Sequence, residues 1–406
     1  MKKDIDRLMK ENGVSAIIAI GSPHNDPVMY YLLNGINVNG WYVKKYKSPA
    51  CVIHSEIERE EALKTGLKTI SFNKYNLTEI YNKYKDRVKA NAVFLQKVLK
   101  DFGIKGKIAF YGNIPMGYSY NLLKQLRRID KRIEILYEPG TSLIIKLRMT
   151  KDNKEIGRIK KARNAVINAF AETIDWVRTM KVKNGVIYKE KNRKLLIGDL
   201  KKNISNGLFK NGFINSSGLI VAQGRDAGVP HNAGRDNEQV KLGKTIVFDI
   251  FPQEIGGGYY FDFTRTICFG YAPDYVKRDF ELVKEAQDIA FENLKVGKRT
   301  RDVEKKVCEY FEKHNHPTFL SNPKTQVGYC HSLGHGLGLN VHESPSFGLL
   351  KTNQDRLEEG MAFTIEPGLY YPDKGYGIRL EDVIYIDKRG QIVNLTKYPR
   401  ELVVKI

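Results

Sequence analysis

Over the first 150 residues, short apolar runs alternate with segments of helical spacing. "SAIIAI" at 15–20, "ACVIHS" at 50–55 and "KIAFYG" at 107–112 predict strands. "DIDRLMKEN" and "NAVFLQKVLKDFG" predict helices, with Gly103 placed to end the second. That alternation is an α/β pattern. No GxGxxG follows a strand, so a dinucleotide-binding fold has no support. The texture changes at 148–152. Residues 150–153 offer a cap for a long helix in which Ile156, Ile159, Ala162, Val166, Ala169, Phe170 and Ile174 share one face. We therefore expect an α/β amino-terminal domain over 1–149 and a second domain over 150–406. Within the second, the spacing predicts helices near 188–206, 274–295 and 300–313, and strands near 244–251, 258–269, 361–366 and 377–387.

Four of these strands form two similar pairs. "TIVFDIF" is followed, after a glycine-rich turn, by "GYYFDFTRTICF", and "MAFTIEP" is followed, after a turn, by "GYGIRLEDVIYI". Each pair reads as a hairpin, and each strand carries an acid: Asp249, Asp262, Glu366 and Glu381. Side chains at i and i+2 project together. Alternation thus groups Asp262 with Thr264 and Thr266, and Arg379 with Glu381, on strands whose other positions are apolar. Buried like charges repel and lose hydration. Divalent cations would neutralise them, and two cations can share bridging carboxylates. Between the hairpins lies "HSLGHGLGLNVHE" at 331–343, which holds three of the chain's eight histidines. One imidazole from it completes a mostly hard donor set, better suited to manganese, cobalt or ferrous iron than to a structural zinc. The other two are left for proton transfer and substrate binding. Glycines between them allow close approach of backbone and substrate.

Composition narrows the classes further. The chain has 406 residues, 42% hydrophobic and 28% charged, a globular balance with room for more than one core. Its formal charge of +21 invites a nucleic-acid reading. The lysines, however, are spread along the chain, with only a short cluster at Lys44, Lys45 and Lys47, and we expect a solvated surface and no nucleic-acid partner. Cys51, Cys268, Cys308 and Cys330 form no CxxC pair, which points to a reducing, cytoplasmic setting. No secretory signal is evident, and no apolar run approaches the roughly 20 residues of a bilayer span, so no membrane partner is expected.

The ordered set "FDIF…GYYFDFTRT", "HSLGHGLGLNVHE", "FTIEPGLYY" and "GIRLEDV" resembles the pita-bread metallopeptidases, in particular aminopeptidase P and prolidase. The likeness covers 150–406. The preceding half, with "MYYLLNGINVNGW", is more loosely similar to the creatinase-like amino-terminal domain of the same enzymes. The resemblance implies an α+β pita-bread catalytic domain with a pseudo-twofold internal repeat. It implies two divalent ions per chain, Mn2+ or Co2+ first and Fe2+ or Zn2+ as alternatives, held by Asp249, Asp262, His335, Glu366 and Glu381. It makes Glu366 the general base, with His342 and His231 acting in catalysis and substrate binding. His331 is placed near the substrate, and Thr264, Tyr370 and Arg379 support the ligands. The implied reaction is hydrolysis of Xaa-Pro bonds in a peptide by a water activated between the two ions, by an aminopeptidase or a dipeptidase that pairs as a homodimer. The same scaffold also serves hydrolases of other small amides, lyases, methionine aminopeptidases and non-catalytic binding proteins. The intact ligand set speaks against the last, and the long amino-terminal half speaks against methionine aminopeptidase. Asp249 and Asp262 are thirteen residues apart where many members have eleven. The extra residues fall in the turn "PQEIGGG", which can leave the strand register intact.

Overall fold

The computed structural model describes residues 4–190 and 193–406. The chain divides into two compact units, Met1–Arg148 with Gly256–Gly258, and Met149–Ile255 with Tyr259–Ile406.

The first unit is built on a six-stranded sheet in the order Lys68–Ser71, Cys51–His54, Gly40–Lys45, Ala16–Gly21, Gly106–Tyr111, Ile133–Ile135. Gly40–Lys45 runs antiparallel to both neighbours, and the remaining pairings are parallel. Helix Arg87–Asp101 starts at Asp86, whose carboxylate accepts the Val88 and Lys89 N–H groups. It buries Phe94, Leu95, Val98 and Leu99, and it gives way to Gly103, which takes φ 58°.

In the second unit, helix Asn153–Arg178 opens with a capping box between Asp152 and Glu155 and buries the predicted apolar face. The helix expected at 188–206 begins only at Ile197 and runs to Lys210. Its forepart is instead a small sheet of Lys181–Lys183, Val186–Lys189 and Arg193–Lys194. The reason is Asn184 and Gly185, which both adopt positive φ and close a two-residue hairpin between Lys183 and Val186.

Two further expectations are corrected in detail. The strand foreseen over 258–269 is regular only at Thr264–Phe269. Ahead of it, the Asp262 carboxylate accepts the Phe263 N–H at 3.0 Å, a local bond that competes with a ladder. The strand foreseen over 377–387 is two strands. Tyr376–Arg379 pairs with Gly368–Tyr371, and Asp382–Ile386 pairs with Ala362–Ile365. The change of partner falls at Glu381, whose N–H bonds the Thr264 carbonyl.

The two hairpins anchor two sheets. Thr245–Asp249 and Thr264–Phe269 form the centre of one, and Ala362–Ile365 with Asp382–Ile386 the centre of the other. An antiparallel bridge from Thr264 to Glu381 joins them. Asp249 stays opposite Thr264, so the longer turn leaves the register undisturbed. Helices Asp274–Asn293 and Thr300–Lys313 pack with the second sheet and the Gly368–Tyr371/Tyr376–Arg379 pair, burying Phe280, Val283, Val307 and Phe311 in one core with Phe363, Ile365, Ile378 and Ile384. This paired-hairpin architecture is the pita-bread fold.

Candidate active site

Thr264 lies at the junction of the two hairpins. Its hydroxyl donates to Glu381 Oε2 at 2.7 Å and accepts from Arg379 Nε at 3.3 Å. The same guanidinium donates to Asp249 Oδ2 at 2.5 Å and to the Tyr370 hydroxyl at 2.8 Å. Its backbone is fixed by Thr266, which accepts the Arg379 N–H and donates to the Arg379 carbonyl. Arg379 thus holds an acid of the first hairpin from a strand of the second.

The glycines around His335 are there for clearance. A Cβ on Gly334 would lie 2.0 Å from the Thr364 carbonyl oxygen, and one on Gly336 would lie 2.1 Å from that of Ser344. Only glycine lets this segment thread between its neighbours. His335 Nδ1 meets the Gly336 carbonyl at 3.1 Å and so carries the proton there. Nε2 then faces Glu366 Oε1 at 3.2 Å and Asp262 Oδ2 at 3.7 Å. Asp262, His335 and Glu381 offer ligand atoms within 4.8 Å of one another. Glu366 adjoins them through His335, and Asp249 is held by Arg379.

The electrostatics of this cluster call for a cation. Burial, then the charges of Glu381, Asp249 and Glu366, lift Asp262 well above the carboxylate range. Burial likewise raises Asp249 against the pull of Arg379, and burial with Glu366 and Asp249 pushes Glu381 to about 8. Burial would raise Glu366 too, but its hydrogen bond and charge pairing with His335, helped by His331 and Arg379, bring it to about 2. Burial opposes the charged form of His335, and Glu366 outweighs it, raising the imidazole to about 8. Burial and mutual repulsion thus work against ionising Asp249, Asp262 and Glu381 together. Glu381 Oε1, moreover, is buried with no hydrogen-bond partner among the described residues. An orphaned carboxylate oxygen beside an imidazole nitrogen and a second acid fits a divalent cation, which would take the place of the imidazole proton.

A cavity of about 560 Å³ opens over the cluster, lined by Asp249, Glu366, Arg379, His335 and three further histidines, His231, His331 and His342. Leu219, Ile220, Phe251 and Val341 supply apolar wall. The His342 ring stands edge-on to His335 at 4.2 Å between centroids, and burial and then His335 lower its pKa. His331 is half-buried, and loss of hydration holds it towards its neutral form. Both its nitrogens are engaged within the protein, Nδ1 with the Ser332 carbonyl and Nε2 with the Tyr370 hydroxyl, each at 2.8 Å. Arg379 donates to that hydroxyl, so Tyr370 donates onward to His331, and Nδ1–H points to Ser332. The direction of the chain fixes the His331 tautomer.

Three supporting groups escaped the sequence reading. The Thr364 hydroxyl accepts the His335 N–H and lies 3.3 Å from Glu366 Oε1. Gln287, fully buried on Asp274–Asn293, donates to the carbonyls of Ile365 and Leu380, the residues just before Glu366 and Glu381. Glu304, fully buried on Thr300–Lys313, accepts the Leu333 N–H and the Tyr329 hydroxyl, pinning the segment that carries the histidines. Glu304 carried a signal, because it falls on the same helix face as Cys308 and Phe311.

Acids converging from paired hairpins on one imidazole, within a pita-bread fold, define a metal-dependent hydrolytic centre. The chain belongs to metallopeptidase family M24, whose model matches residues 157–388. An Xaa-Pro dipeptidase of Pyrococcus furiosus is 28% identical over 410 residues, spanning 99% of this chain and 100% of the relative. The crystal structure of a prolidase from Pyrococcus horikoshii matches at a TM-score of 0.73 and 25% identity, covering 98% of this chain and 99% of that one. That of an Xaa-Pro dipeptidase from Bacillus anthracis matches at 0.76 and 25%, covering 100% and 99%.

Proposed function

We propose that the chain hydrolyses the peptide bond before proline and acts chiefly on Xaa-Pro dipeptides. The observation that carries this reading is the convergence of Asp262, His335, Glu381 and Glu366 at a cavity lined by His231 and His342. Full-length likeness to proteins named Xaa-Pro dipeptidase and prolidase supports the substrate. Asp249, Asp262, His335, Glu366 and Glu381 would hold two divalent ions, with Mn2+ or Co2+ suiting the carboxylate-rich set. Such ions supply Lewis acidity, lowering the pKa of water and polarising a carbonyl. Glu366 takes the proton from the attacking water and returns it to the departing proline nitrogen. His342 and His231 donate hydrogen bonds to the oxygen on which negative charge develops. Arg379, Tyr370 and His331 hold Asp249 in place through the chain of hydrogen bonds described above. We further propose a homodimer working in a reducing, cytoplasmic compartment on peptides and not on nucleic acid. The free thiols Cys51, Cys268 and Cys308, all buried, are in keeping with that compartment, and no described helix is long and apolar enough to cross a membrane.

The test is an assay of metal-loaded protein on an Xaa-Pro dipeptide, a longer Xaa-Pro peptide and a methionyl peptide without proline. The dipeptide should be cleaved fastest and the methionyl peptide left intact. Faster cleavage of the methionyl peptide would refute the assignment. After chelation, Mn2+ or Co2+ should restore more hydrolysis than Mg2+, and equal recovery with Mg2+ would argue against the proposed metals. His342→Ala should lower kcat by about 10²-fold while metal analysis finds the parent content. Loss of metal in that variant would show His342 to be a ligand. Light scattering should give the mass of two chains.

A further inference from the structure

The amino-terminal unit carries a groove that peptide hydrolysis does not use. Between helix Met116–Ile129 and strand Ile133–Ile135 lies a cavity of about 390 Å³. Leu123, Ile133 and Ile135 form its apolar part, and Lys124, Arg127, Arg128 and Lys131 surround them. None of these four cations pairs with an acid among the described residues. The adjacent Asp130 is taken by Arg132, with bonds of 2.9 and 2.7 Å, and Glu134 lies 3.7 Å from Lys107. One helical turn apart, Met116 and Tyr120 are 86% and 62% exposed, extending the apolar stripe of Leu123 along the helix.

The strand at this groove is a sheet edge. Ile133–Ile135 pairs with Gly106–Tyr111 on one side, and no described strand lies on the other. Gly106 donates to the Arg132 carbonyl and Leu136 to that of Ile108. By alternation, the N–H and C=O of Ile135 point away from the sheet. Edges are commonly blocked by lysine or proline within the strand. Here the strand is Ile-Glu-Ile, and the cations are set back on the helix and the connecting loop.

We propose that this groove receives an extended acidic segment of a partner protein. The segment adds as a strand to Ile133–Ile135, lays alternate apolar side chains over the half-buried Leu123 and Ile135, and sets carboxylates against Lys124, Arg127, Arg128 and Lys131. A second copy pairing through the same edge would bring its own Lys124, Arg127, Arg128 and Lys131 against this positive rim. A nucleic-acid strand would neutralise the cations but leave the backbone edge and the apolar strip uncovered.

The probe is a capped, fluorescent hexapeptide of alternating glutamate and valine, titrated by anisotropy against the full chain at roughly 50 mM salt. Saturable binding is expected. It should weaken about tenfold or more in Arg127→Glu/Lys131→Glu. A similar loss is expected in Ile135→Pro, which removes an outward N–H and leaves the ladder to Gly106–Tyr111 in place. Xaa-Pro turnover should be unchanged in both variants, and a parent-like circular dichroism spectrum and thermal melt report that the amino-terminal unit folds. The charge-reversal variant keeps the test valid should the proline variant fail to fold. The proposal is overturned if the parent does not bind, if charge reversal leaves affinity unchanged, if a serine-glutamate hexapeptide binds equally well, or if an oligothymidylate of equal charge binds more tightly.

Discussion

Glu366→Gln should yield a folded protein whose turnover is lower by about 10³-fold or more. The carboxylate faces the cavity and is oriented from two sides, by His335 Nε2 at 3.2 Å and the Thr364 hydroxyl at 3.3 Å. The amide is nearly isosteric and keeps an acceptor for both, so the local packing survives. It cannot take a proton, and a missing general base alone costs roughly 10²–10⁴-fold. It is also a weaker metal ligand, which deepens the loss. The fold should survive, because the lost charge pairing with His335 is offset by relief of the repulsion that Glu366 exerts on Asp262 and Glu381. The two contributions separate by measurement. A base role lowers kcat at full metal content with KM little changed. A role as ligand alone lowers metal content, and activity returns with excess metal. Turnover within tenfold of the parent would remove Glu366 from the mechanism.

The candidate site was legible in the sequence because its acids interrupt apolar runs, and a run cannot bury a charge without a reason. The structure gives that reading a different geometry. Asp262, Glu366 and Glu381 do not alternate within regular strands. They sit just before Thr264–Phe269, just after Ala362–Ile365 and just before Asp382–Ile386. Strand ends bring acids from separate hairpins to one point, as strand interiors could not. The long helix was legible because its face repeats over 26 residues. The hairpin at Asn184 and Gly185 was carried by two residues only, and the lysine-rich flanks read equally well as a helix surface. Glu304, Gln287 and Thr364 act through one or two hydrogen bonds to residues of distant elements; periodicity puts Glu304 on a buried helix face but does not encode the partners. Arg265 is the instructive omission. Alternation puts it on the face of Phe263 and Ile267, an arginine among apolar neighbours on a strand otherwise read residue by residue.

Arg265→Met should cost about 3–5 kcal/mol of stability, a fall in melting temperature of roughly 10 °C, and should weaken metal retention without touching the cavity. Arg265 is 1% exposed. Its guanidinium donates to Asp382 Oδ1 at 2.8 Å and to the carbonyls of Thr264, Glu381, Tyr398 and Pro399 at 2.8–3.0 Å. The side chain stacks on Phe263, 4.8 Å from the ring centroid. Methionine matches much of the volume and none of the donors. It removes a donor from four carbonyls, of which that of Thr264 keeps the Glu381 N–H, and leaves Asp382 without its cation, although Asn394 still donates to Asp382. Two of the abandoned carbonyls belong to Thr264 and Glu381, the residues that bridge the hairpins, so the Glu381 carboxylate loses its fixed position. The activated variant should therefore need more Mn2+ for half-maximal hydrolysis than the parent. Arg265→Lys keeps a charge for Asp382 but lacks the planar fork that reaches five acceptors, and should fall between the two. Adding Asp382→Asn to Arg265→Met removes the stranded charge and should recover part of the lost stability, whereas simple additivity would predict a further loss. An Arg265→Met protein that melts with the parent and binds metal as tightly would show that the hairpins hold their junction without this side chain.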